Sequence, residues 1–238
     1  LAGQSLPGDD RVHILGSGFV GGLVGCNDKG TISHCSVTGR TVGNFSVGGL
    51  LGRNIDGTVT NCLSKGVISA TGTYLYSIIG GLIGINSGTV SNCNVVGNVS
   101  GRQCVGGLIA DNSGTISDCY AIGNVSGSHP LGGLIAVNTG VVTKCYARGV
   151  LDGSSGVGGL VGNNLGKVSD CYASVTASRV HWYLGGLVGT NHGSVSNCYA
   201  TENLSGINGI AGLIGRNGGR VSNCYTTGNV YGSGDYIG

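Results

Sequence analysis

The side chains that could carry chemistry are few, and they are strung along the chain at a nearly constant spacing. Ten residues are acidic, Glu202 being the one glutamate, and five are histidines. Retaining cleavage of a glycosidic bond needs two carboxyl groups about 5–5.5 Å apart. Asp118 and Asp170 share a repeat phase, but Lys144 holds that phase between them, so no two acids fall on neighbouring repeats. The ten cysteines include no Cys-x-x-Cys pair and lack metal-ligand spacing. The Gly-rich blocks are not phosphate loops, because no Lys-Ser/Thr follows them. These residues give no support for an enzyme, a metal or a cofactor.

Side chains that could bind, rather than react, are better supplied. Tyr120, Tyr146, Tyr172, Tyr199 and Tyr225 recur in one phase. Such rings could stack on one another or present a platform to a sugar. Two irregular stretches interrupt the repeat just before a Gly-Gly pair: Ala70 to Ser77 and Arg179 to Tyr183. Insertions in repeat proteins gather on one face, often the binding face. Tyr74, Tyr76, Trp182 and Tyr183 are therefore the candidate binding residues, for a glycan or a protein surface, on loops about 19 Å apart from stacking distance.

The elements that must position these residues follow from the repeat. Asn27, Asn54, Asn86, Asn112, Asn138, Asn164, Asn191 and Asn217 each close a block reading Gly-Gly-Leu-(Val/Ile/Leu)-(Gly/Ala)-x-Asn, with Ala211 replacing the first Gly in the last copy. The spacing is 26 or 27 residues, apart from one of 32. A period this regular marks a solenoid. No stretch sustains helical periodicity. Each repeat divides into three short extended pieces separated by Gly or Asn, such as Leu82–Ile85, Thr89–Ser91 with Cys93–Val95, and Asn98–Ser100. Stacked at ~4.8 Å, such pieces form an all-β parallel β-helix of about eight rungs, right-handed by analogy with parallel crossovers. Residues 1–20 read as a partial rung, and 21–238 as eight repeats forming one solenoid.

Alternation along the first piece predicts Leu23 and its equivalents inside, with Gly25 beside them making room and Asn27 capping a corner. The Cys26 column, which holds Arg53, Asp111 and Arg216, must then face water. The same alternation turns Val24, Leu51, Ile83, Ile109, Ile135, Val161, Val188 and Ile214 outward, as an aliphatic strip suited to lateral packing. Eight in-register asparagines can bond to one another and to turn backbone, and Asn also tolerates left-handed angles. A second column runs from Ile32 to Val221. It is followed three residues later by Cys35, Cys62, Cys93, Cys119, Cys145, Cys171, Cys198 and Cys224, so a bend must lie between. The cysteines read as a small buried column, with a disulfide framework as the alternative.

These blocks carry a family resemblance. Gly132-Gly133-Leu134-Ile135-Ala136-x-Asn138-x-Gly140 with Cys145-Tyr146-Ala147, and Gly185-Gly186-Leu187-Val188-Gly189-Thr190-Asn191-His192-Gly193 with Ser196-Asn197-Cys198-Tyr199-Ala200, resemble the GLUG repeat. The resemblance spans residues 21 to about 231. It implies an exported, extracellular or cell-surface β-solenoid, of the kind found in bacterial adhesins and beside immunoglobulin A peptidase domains, without catalysis of its own. The peptidase motif His-Glu-x-x-His is absent.

Composition narrows the partners. A net charge of +2 offers no argument for nucleic acid or an anionic membrane, and no apolar run nears the ~20 residues of a membrane helix. The chain lacks an initiator Met and a signal peptide, and so looks like a processed or excised piece. It begins and ends in the same repeat phase. Either the array continues in a longer protein, or copies associate head to tail. The expected partners are thus other copies, end to end or side by side, or a glycan or host surface.

Overall fold

The computed structural model describes residues 12–70, 77–201 and 203–238. Those residues form a stack of parallel strands, with no helix among them. Two faces are eight-stranded sheets, one member per repeat. The first runs from Val24–Asp28 to Ile214–Asn217, and the second from Thr31–Ser33 to Arg220–Ser222. A third sheet of 18 strands closes each rung. Equivalent residues lie over one another: Asn54 on Asn86, Val90 on Ile116, Tyr146 on Tyr172. Val12–Leu15 and Phe19–Gly21 join the stack beneath Ser36–Gly43 and Ser46–Gly48.

Most rungs have four strands rather than the three expected pieces, although the fourth repeat has five and the sixth has three. In the third repeat they are Ile83–Asn86, Thr89–Ser91, Asn94–Ser100 and Val105–Gly106. Cys93 is not in the second strand; it sits in the corner that follows. That corner is the bend the sequence demanded. His34, Asn61, Asn92, Asp118, Lys144, Asp170, Asn197 and Asn223, each just before the Cys, all have φ between 52° and 57°. Left-handed backbone favours Asn and Asp, whose short polar side chains can bond locally. The tolerance ascribed to the ladder asparagines is therefore used one corner later.

The interior holds the predicted columns and one more. Leu50, Leu82, Leu108, Leu134, Leu160 and Leu187 are buried, as are Val59, Val90, Ile116, Val142, Val168 and Val195. The expected outward strip is also inside: Leu51, Ile83, Ile109, Ile135, Val161 and Val188 are fully buried, with only the end members Val24 and Ile214 half-buried. The reason is local. The amides of Leu50 and Leu51 both donate to the Leu82 carbonyl, at 2.9 and 3.0 Å. The chain turns at that point, and strand alternation does not carry across a turn. Both residues face the core from either side of the corner, so this column offers no outward strip for lateral packing.

The small residue after this pair does not make room for leucine, as alternation suggested. A β-carbon at Gly162 would lie 2.8–2.9 Å from backbone atoms of Ala136 and Leu131. The position is small because the strand that closes the preceding rung passes against it. The Arg53 and Asp111 column does face outward, half-buried, as the cost of burying charge required.

Candidate functional site

The asparagine column forms an unbroken hydrogen-bonded ladder. Each Nδ2 donates to the Oδ1 of the next rung at 2.8–2.9 Å, from Asn27 through Asn217. The second amide hydrogen goes to a turn carbonyl, as in Asn54 to Gly57 at 3.0 Å. An inward amide so completely paired is structural, since its polar atoms are taken up by its neighbours.

The cysteine column is likewise committed to the wall. Its six inner members are buried and every cysteine is a free thiol. Each sulfur approaches the carbonyl two residues earlier, for example Cys171 to Ser169 at 3.0 Å. Backbone amides point to the next sulfur, as from Cys93 to Cys119 at 3.3 Å. Burial pushes the Cys62 thiol up. Hydrogen bonds between neighbouring thiols, with burial added, push Cys93, Cys145 and Cys198 up, and the same bonds draw Cys119 and Cys171 down. All five are buried, which keeps them from a partner in solution whichever of them holds the proton. Among the described residues, no three His, Cys, Asp or Glu side chains are grouped to hold a metal ion.

The five tyrosines stack in one column. Centroids are 4.9, 4.9, 5.0 and 5.1 Å apart, and successive planes lie within 15° of each other. The predicted ring stacking is present, but its consequence differs from a sugar platform. Each inner ring has both faces covered by its neighbours, which leaves edges and hydroxyls to solvent. The column therefore reinforces the third sheet.

The irregular stretch before Gly185 is different. It lies within Tyr172–Gly185, a 14-residue strand whose register shifts between Ala177 and Val180. Arg179 and Tyr183 have positive φ, 65° and 57°, which turn the chain out and back. Val180 is buried and anchors the bulge, whereas Trp182 is 46% exposed. The rings of Trp182 and Tyr183 are 6.0 Å apart and inclined at 55°. The guanidinium of Arg216 sits 5.4 Å from the Tyr183 centroid, drawn by the ring's negative face. One face of Tyr183 is thus occupied, and Trp182 is the more open of the two rings on the bulge. Tyr74 and Tyr76 lie outside the described residues.

The same arrangement occurs near the other end of the stack. Phe19 occupies the repeat position of Tyr183, and Arg53 lies over it at 5.3 Å. Phe45 packs edge-on at 6.1 Å. Sequence reasoning missed this pair. The signal was available, because Arg53 and Arg216 share one column while Phe19 and Tyr183 each stand two residues before a Gly-Gly pair.

Concavities mark the surface of the described residues. One of about 680 Å³ lies along the corner between the first and second faces, beside Lys167, His192 and Arg220. Another, of about 600 Å³, lies on the third face between His13, Arg40 and Lys65. A third, of about 350 Å³, includes Cys104, His129 and Val137. Cys104 is pushed up to about 12, by burial first and the nearby Asp111 charge second, which leaves its thiol protonated and weakly reactive.

Comparison with known proteins agrees with this geometry. The model of the GLUG motif matches residues 16–42, 43–71, 101–126, 153–178 and 181–205, more than half of the chain. No curated protein matches the chain. Among solved structures, the chain is similar to a Bacteroides ovatus protein provisionally named an immunoglobulin A1 protease. That likeness has a TM-score of 0.51 at 19% identity, and covers 80% of this chain and 68% of the other. At that identity it speaks for the fold alone.

Proposed function

The chain belongs to the GLUG family, and on that premise we propose that it is a non-catalytic β-solenoid stalk of an extracellular or cell-surface bacterial protein, with adhesive capacity. The observation that carries this reading is where the repeated polar side chains go. The ladder amides and the column thiols bond to neighbouring rungs and hold the rod together. What departs from the repeat is exposed, above all Trp182 on its bulge. A rigid rod with a few non-repeating aromatic and basic features suits display and attachment. Trp and Tyr are effective contact residues for glycans and protein surfaces.

The experiment compares the chain with a Trp182→Ala variant on a glycan array and on immobilised host-cell surfaces. Binding that drops in the variant, with melting unchanged, supports adhesion through the bulge. Equal binding rejects that site. The neighbour's name supplies the rival reading. Incubation with immunoglobulin A1 is expected to leave the heavy chain intact, and specific cleavage would overturn the non-catalytic assignment.

A further inference from the structure

The third face carries a feature that neither the ladders nor the aromatic bulge explain. Gly39, Gly66, Gly97, Gly123 and Gly149 form a column in which every φ lies between +142° and +159°. A β-carbon at Gly66 or Gly97 would strike the carbonyl oxygen of the glycine one rung earlier. The column is therefore a bare backbone floor. It ends at Val175, which pairs with Gly149 and is buried in the core. On one side of the floor stand Lys65, Val96 and Ile122, and on the other Arg40, Val67, Asn98, Asn124 and Val150, all exposed. From Gly39 to Gly149 the groove follows the rod axis for about 19 Å, four steps of strand spacing.

At one end the groove deepens into the cleft of about 600 Å³ lined by His13, Thr38, Gly39, Arg40, Lys65 and Gly66, with Val67 as an aliphatic wall. His13 and Arg40 are register partners on adjacent strands, and Lys65 pairs with Thr38, two residues before Arg40 along the strand. Among the described residues, no carboxylate lines this cleft. Arg148, beside Gly149, places a further cation at the opposite end of the groove.

We propose that this glycine-floored groove binds an anionic polysaccharide, laid along the rod axis with its acidic groups on Arg40 and Lys65. The aliphatic walls suit the C–H faces of sugar rings, and the cations supply charge-assisted hydrogen bonds. Among the described residues that line the cleft, His13 carries the one ring, a smaller stacking surface than the successive aromatic platforms on which single-stranded nucleic acid is held. The third face is a continuous hydrogen-bonded sheet, so an extended peptide would find no free strand edge within the groove.

The test is affinity electrophoresis and titration calorimetry of the chain with polygalacturonate, heparin, neutral dextran and single-stranded DNA. The two acidic glycans separate carboxylate from sulfate recognition, and binding to at least one of them, weakening with added salt, is expected. The double variant Arg40→Gln/Lys65→Gln should lose on the order of tenfold or more in affinity. Val67→Asp should weaken binding in the same direction. Lys167→Gln, on the second face, should leave it unchanged, which separates the groove from general surface charge. The proposal is overturned if neither acidic glycan binds, if dextran or DNA binds as tightly, or if the double variant binds like the parent while melting at the same temperature.

Discussion

Asn86 donates an amide hydrogen to Asn112 at 2.8 Å, and this bond is one of four that its side chain makes. It gives its other hydrogen to the Gly88 carbonyl at 3.1 Å. It accepts from Asn54 at 2.8 Å and from the Gly88 amide at 3.3 Å. A primary amide has no further bonding capacity of consequence.

Replacing Asn86 with alanine should orphan a buried donor on Asn54 and leave the buried Asn112 oxygen with only the Gly114 amide, at 3.2 Å, as a partner. An orphaned group costs about 1–3 kcal/mol. The same change at Asn217, which is exposed, should cost well under half as much. Urea denaturation of the two variants compares them directly; similar midpoints would show that the ladder contributes little.

Tyr172 makes two ring contacts, with Tyr146 and Tyr199, whereas Tyr120 makes one, with Tyr146. At about 0.5–1.5 kcal/mol per contact beyond area burial, Tyr172→Ala should destabilise about twice as much as Tyr120→Ala. Thermal unfolding followed by near-ultraviolet circular dichroism would register both the loss and the broken ring coupling. A Tyr120→Ala effect as large as that of Tyr172→Ala would rule out stacking as the source.

The thiols predict both an accessibility pattern and a pH dependence. A maleimide should label exposed Cys26 quickly, the half-buried Cys35, Cys104 and Cys224 more slowly, and leave the six buried column thiols unmodified until the chain unfolds. The Cys104 thiol is raised from 9.0 to about 12 in the folded chain. Its folded value exceeds its unfolded value, so its contribution is complete below pH 9.0 and declines as pH rises toward about 12. The urea midpoint should accordingly fall between neutral pH and about pH 11, and fall less steeply in a Cys104→Ala variant. Rapid labelling of Cys119 in the folded chain would contradict the buried column.

The glycine floor can be probed from inside the stack. Gly123 has φ +148° and abuts the Gly97 carbonyl, so Gly123→Val should destabilise by more than the typical ~1 kcal/mol of a point substitution. Val175→Gly, which merely empties a core position, should cost about 1–3 kcal/mol through lost burial. Calorimetry on both checks the order; a neutral Gly123→Val would mean that the floor can flex.

Much of this architecture was legible in the residues themselves. Repetition in phase places Asn86 over Asn112 and Tyr146 over Tyr172 without any coordinates, because equal spacing in a coil leaves no other neighbour. The polar position before each Cys was readable as a bend, since Val90 and Cys93 could not both be buried along one straight strand. The Leu51 column was misassigned because alternation holds only within a strand, and nothing in Gly-Gly-Leu-Leu marks which residue begins it. The basic groove was also visible in principle, as Gly39, Gly66, Gly97, Gly123 and Gly149 share a phase. Its depth was not, because that depends on backbone angles a glycine leaves open. The prominence of Trp182 needed the register shift at Val180, which a spacing longer by one residue does not specify.

In the ladder every side-chain amide points its hydrogen the same way, from one coil to the following one. The rod is therefore vectorial. Another coil of the same kind can be accepted only head-first, since a reversed one would set donor against donor or acceptor against acceptor. Gene duplication could lengthen such a stalk, or deletion shorten it, in units of a whole coil without any other residue having to change.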